Sequence, residues 1–142
     1  MIHQQEYRGI VPESEIHQPT QLNASGNKAM PVIKNGLATG TTVDWVNGLK
    51  SLVRYYDHCD LEFTALETTI VPYGGRGAFS DKGDSGATIL DRKGRIVAMI
   101  TGGGGMNDKT DVTFGTAWYE LEPHIKKTLP GCFLYPEVPD DD

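Results

Sequence analysis

A chain of 142 residues is the length of one domain, able to bury roughly 70% of its unfolded surface around a single core. With 38% apolar and 23% charged residues, 17 glycines and 8 prolines, it has the composition of a turn-rich globular domain and not of a disordered chain. The net charge of -6, with no cluster of Lys and Arg, excludes a nucleic-acid surface, and no run approaches the ~20 apolar residues of a membrane span.

The start, Met1-Ile2-His3-Gln4-Gln5-Glu6, lacks the apolar stretch of a secretory signal. Taken as the true N-terminus it implies a cytoplasmic protein, whereas a fragment of a longer chain could be secreted. Cys59 and Cys132 form no CxxC pair and read as buried or free thiols. A disulfide between them, and use of the sequon Asn23-Ala24-Ser25, would follow only for a secreted protein.

Residues 1–28 are polar, with scattered Pro, Gly and Asn and isolated apolar residues such as Ile10, Val11 and Ile16, the pattern of an extended arm or linker. From Ala29 to Lys34 the apolar content rises, Asn35-Gly36 supplies a turn, and Thr41 to Val46 returns as a β-branched run. Asn47-Gly48 predicts a second turn into Leu49–Tyr56, and the polar knot Asp57-His58-Cys59-Asp60 leads into Leu61–Val71, where Leu61, Phe63 and Ala65 alternate with Glu62 and Thr64. Pro72 to Asp84 contains Gly74, Gly75, Gly77 and Gly83 and reads as a loop, with Ser85 at its end. Gly86–Leu90 and Arg95–Ile100 flank the turn Asp91-Arg92-Lys93-Gly94, the clearest hairpin in the chain. After a glycine loop, Gly102 to Gly105, comes a last strand at Asp111–Ala117. The period then changes: Trp118, Leu121, Ile125 and Leu129 recur at helical spacing, Lys126 and Lys127 fill the last turn, and Pro130-Gly131 stops it. Residues 29–130 thus form the expected domain and 131–142 an acidic tail.

Strands, a glycine-rich loop and a terminal helix in this order, with Gly83-Asp84-Ser85-Gly86 before the hairpin, resemble the second barrel of the trypsin-like, or chymotrypsin-fold, serine peptidase superfamily. The resemblance covers about residues 30–129. It implies an all-β fold, a six-stranded antiparallel barrel with a C-terminal α-helix. It also implies a serine-type endopeptidase chemistry in which Ser85 is the nucleophile, the backbone N–H groups of Gly83 and Ser85 form the oxyanion hole, and Asp84 anchors the loop through a buried ion pair. Phe79, six residues before Ser85, matches the base of the family's primary specificity pocket, where an aromatic would not favour a basic side chain, although its residue type suits a core position equally. Thr101-Gly102-Gly103 matches the end of the substrate-binding strand. More narrowly, Val32–Gly36 with Thr39–Thr42, together with these two motifs, look like uncharacterised fungal proteins of the superfamily, which names no substrate.

The family's catalytic His and Asp precede the serine by a barrel's length, and too few residues stand upstream here: no Asp occurs before Asp44. His3 and His17 lie in the polar arm, His58-Cys59 mimics the family's His-Cys dipeptide but in the wrong barrel, and His124 falls on the helix surface. A serine without a base is a poor nucleophile, losing on the order of 10⁶ in kcat. Two functional classes follow: an endopeptidase whose N-terminal barrel is missing, or an inactive pseudopeptidase that binds a peptide or protein partner. No cofactor or metal is expected. Gly102 to Gly105 lacks the Gly-Lys-Ser/Thr of a phosphate loop, and Asp81, Asp84, Asp108 and Asp111 lack the spacing of a calcium loop. Trp45 and Trp118 read as core residues.

Overall fold

The computed structural model describes residues 9–56, 62–72, 74, 77–105 and 111–134. A short helix α1 (Glu13–His17) precedes six strands, β1 (Met30–Gly36), β2 (Gly40–Tyr55), β3 (Phe63–Val71), β4 (Thr88–Asp91), β5 (Ile96–Gly104) and β6 (Val112–Ala117), and the helix α2 (Trp118–Thr128) follows. Every strand pairing is antiparallel, in the order β1-β2-β3-β6-β5-β4, and β4 pairs back onto β1 with Ile89 opposite Lys34. The all-β architecture with a terminal helix is the one the sequence predicts.

Alternation sets the inner face of the sheet. In β1 the residues Met30, Val32 and Lys34 are buried while their neighbours are less so. Pro31, which has no N–H to give, stands just before the β1–β4 ladder begins at Val32. Val46, Ile70, Ile89, Val97 and Ile100 complete the interior from the other strands. In the tight hairpin between β4 and β5, Asp91 Oδ1 accepts the N–H groups of Lys93 and Arg95, both at 2.9 Å, and Gly94 takes φ +79°.

The six strands are as expected in number, but 49–55 continues β2, because Asn47-Gly48 is not the turn the sequence predicts. It is a bulge inside β2, where the register against β3 slips between Asn47 and Ser51. The Asn47 side chain accepts the Leu49 N–H (3.1 Å), and α1 lies against Gly48, whose added β-carbon would meet His17 O at 3.2 Å. The strand therefore bends and continues. Beyond the bulge, among the described residues, β2 and β3 pair only with each other, and Leu52 and Leu66 stand opposite one another, both exposed.

Gly102 to Gly104 also departs from expectation, since the three glycines extend β5 and pair with Phe114, Thr113 and Val112 of β6. Backbones approach closely there: a β-carbon on Gly103 would lie 3.1 Å from Val112 O.

Residues 9–28, expected as an extended arm, carry α1 and pack onto the sheet. Val11 and Ile16 are buried in the core, Val11 N donates to Ile96 O, and Ile96 N donates to Gly9 O, both at 2.8 Å. Arg95 fixes the helix by donating to both carboxylate oxygens of Glu15 (3.0 and 2.6 Å) while its Nε donates to Asp91 (2.9 Å). Helix α2 packs against β5 and β6 through half-buried residues, Trp118 among them, and ends at Thr128 as its stop signals predict. Among the described residues no helix is long and apolar enough to cross a membrane.

Candidate functional site

The turn joining β1 to β2 and the loop preceding β4 are built into each other. Asp84 is fully buried, and its carboxylate is the common acceptor. Oδ1 takes the N–H groups of Ala38 (2.7 Å) and Thr39 (3.3 Å), and Oδ2 takes the Thr39 hydroxyl (2.6 Å) and the Asp81 N–H (3.1 Å). Its counter-ion is Lys34, equally buried, with Nζ 3.4 Å from Oδ2. Lys34 also donates to the Thr39 hydroxyl and to Gly40 O (2.8 Å), and its ammonium lies 5.7 Å from the centre of the Phe79 ring. Thr42 completes the junction by donating to Phe79 O at 2.7 Å.

Burial alone would raise the Asp84 pKa, but the Thr39 hydroxyl and the N–H groups of Asp81, Ala38 and Thr39 outweigh it and hold the carboxyl well below the usual carboxylate range. Asp84 is thus a negative charge at neutral pH that ties its own loop to the β1–β2 turn.

That anchorage sets the conformation of the next residue. Asp84 N donates to Asp81 O (3.0 Å), Ala87 N to Asp84 O (3.0 Å) and Gly86 N to Ile100 O (2.8 Å), so Ser85 sits at the apex of a corner laced to β5. Gly83 has φ +104° in open surroundings, the nearest contact of an added β-carbon being Ala38 Cβ at 3.4 Å; the backbone angle and not space demands glycine. Among the described residues, neither Gly83 N–H nor Ser85 N–H has a backbone acceptor. Ser85 is exposed and lines a cavity of about 300 Å³, together with Asp81, Gly102, Gly103 and Asp111.

Of the residues singled out in the sequence, Gly83, Asp84, Ser85, Gly102 and Gly103 come together here. Phe79 does not line the cavity. It is 1% exposed, packed under Lys34, with its N–H directed to Asp111 Oδ2 (3.3 Å), which is the core position its residue type equally suits. Thr101 is half-buried and donates to Phe114 O (3.3 Å).

No histidine lines the Ser85 cavity among the described residues. His17 is tied to the β2 bulge through a 2.5 Å bond from Nδ1 to Gly48 O, with Nε2 3.4 Å from Glu13, and His124 is exposed on α2. His3, His58, Cys59 and Asp108 lie outside the described residues. Cys132 is a free, half-buried thiol. Asp81 caps its own turn by accepting the Lys82 N–H at 2.7 Å.

Sequence reasoning includes Lys34, Gly36 and Thr39 in its motifs but does not identify them as the surroundings of Asp84. A signal was present, because the alternation Met30, Val32, Lys34 places a lysine on the inner face, and a cation there requires a buried acid.

No curated protein matches the chain. The family model described as the alphavirus core protein, peptidase family S3, matches residues 50–133, more than half of the chain and inclusive of the Ser85 corner, β5 and α2. The chain belongs to this family of chymotrypsin-like fold.

Proposed function

We propose that the chain is the nucleophile-bearing second barrel of a trypsin-like serine endopeptidase. The observation that carries this reading is the Ser85 corner, an exposed serine beside a cavity, with the Gly83 and Ser85 N–H groups lacking a backbone acceptor among the described residues, and anchored by a buried acid. Ser85 Oγ would attack a peptide carbonyl carbon while its proton passes to a base. The carbonyl oxygen becomes an oxyanion that accepts hydrogen bonds from Gly83 and Ser85 N–H. The base then gives the proton to the departing amine, the C–N bond breaks, and water hydrolyses the acyl-serine. The base comes from outside the described residues, as a histidine of an accompanying barrel or of a further segment.

Labelling of the longest native form with a fluorophosphonate tests the reading. The adduct is expected on the peptide containing Ser85 and is expected to vanish in Ser85→Ala. An intact fold that takes up no label would overturn the assignment.

A second reading is supported by the lack of a histidine beside Ser85 among the described residues. In it, the domain is an inactive pseudopeptidase that binds an extended peptide along β5. Past Ile100, among the described residues, this strand pairs with β6 alone, and this reading adds the peptide strand along its other edge. Ser85→Ala would then leave affinity unchanged, while blocking the Gly102–Gly104 edge would abolish it.

A further inference from the structure

The shape of the Ser85 corner is imposed by an acid at position 84 that faces inward. A buried carboxylate beside a buried ammonium is stable only while both remain, since removing one leaves the other uncompensated in a medium that solvates it poorly. Lys34 is positioned to matter to both halves of the junction. It holds the β1–β2 turn through the Thr39 hydroxyl and Gly40 O, and it faces Asp84 from β1 at 3.4 Å. Both partners are internal residues of one chain, and both side chains have zero exposure. Gly36 is part of the same device, because a β-carbon there would lie 2.2 Å from Asp84 Oδ1, so only glycine lets the turn close over the acid.

Resting on the reading of Ser85 as nucleophile, we propose that Lys34 is the positioning residue of the Ser85 corner, an internal counter-ion that assembles the oxyanion loop as the sheet folds. The loop then needs no outside ligand and no cut in the chain to take its working shape. Segments 36–40 and 79–86 form one cooperative unit with Lys34 at its centre, and loss of that single cation releases both while the rest of the sheet stands. Lys34 does not touch substrate; it acts through Asp84 on the direction of the Gly83 and Ser85 N–H groups.

Amide hydrogen exchange read by mass spectrometry, with fluorophosphonate labelling in parallel, tests this on the full chain. In Lys34→Met, exchange across 79–86 and 36–40 should accelerate roughly 100-fold or more while β5 and β6 keep their protection. Lys34→Arg should restore both segments to near the wild-type rate, which a purely space-filling role would not do. Wild-type exchange across 79–86 in Lys34→Met would overturn the proposal. Should Lys34→Met fail to fold, the unaltered chain in increasing urea decides: the two segments are expected to lose protection together and before β5, and separate transitions would sink the idea. If the longest native form takes no fluorophosphonate, the peptidase reading fails while the exchange result still judges Lys34.

Discussion

The hydroxyl of Thr39 donates to the carboxylate of Asp84, 45 positions later in the chain, at 2.6 Å. That bond ties a hairpin turn to the residue preceding Ser85, and the turn can reach it only because Gly36 offers no side chain. Gly36→Ala is expected to push the turn off the acid, at a cost of about 1–3 kcal/mol as for other overpacked sites. Urea unfolding would measure it, and a neutral substitution would mean that the turn can shift without loss.

Asp84→Asn should be more severe. It leaves the Lys34 ammonium buried without its anion, a change that costs on the order of 3–5 kcal/mol in buried pairs. Because the folded-state pKa of Asp84 is depressed, its contribution is complete above the unfolded-state value near ~3.9 and disappears only as pH falls through the lower folded value. The stability gap between the native chain and Asp84→Asn should therefore be constant from neutral pH to about pH 4 and narrow only below. A gap that closes between pH ~7 and ~5 would show that another group is responsible.

Arg95, in the β4–β5 turn, donates to Asp91 at the end of β4 and to Glu15 in α1. Arg95→Ala should detach α1 and weaken the burial of Val11 and Ile16. Part of the ion pair is solvent-exposed, so the expected loss is about 1–3 kcal/mol, carried mostly by the hydrogen bonds and the guanidinium's packing. Faster amide exchange confined to residues 10–18 would identify the cause; unchanged exchange there would mean that apolar burial alone holds the segment.

How far these features could be read beforehand depends on their range along the chain. Asp91 to Gly94 is a turn whose chemistry lies within four residues, and α2 announces its own end through Lys126, Lys127 and Pro130-Gly131, so both were legible. Asn47-Gly48 looks the same locally whether it reverses the chain or bulges a strand; the choice is made by α1 lying against Gly48 and by β3 pairing on both sides of the slip. Val11 and Ile16 are too widely spaced to show a period, and their burial follows from the Arg95 link 80 positions away from Glu15. At the site, the motif 83–86 was visible because its chemistry is contiguous. Its support was not, because Lys34, Gly36 and Thr39 acquire meaning only when the turn and the loop meet.

Glu67 offers a test in the opposite pH direction. It is buried on β3 with Oε2 lacking a partner among the described residues, and Glu120 adds a like charge nearby. Burial pushes its carboxyl up, and the repulsion from Glu120 adds to it, against the opposing influence of the Thr116 and Tyr55 hydroxyls and the attraction of Lys50. A carboxyl whose pKa is raised on folding is penalised when it ionises. The penalty is absent at low pH, grows as pH rises through the unfolded-state value near ~4.3, and levels off above the raised folded value. Glu67→Gln keeps the shape and removes the charge, so it should match the native chain at pH ~3 and exceed it in stability at neutral pH. Thermal unfolding across that range would measure the difference. A Gln variant less stable at neutral pH would mean that the ionised carboxylate is held favourably, by Lys50, and that the charge belongs to the fold.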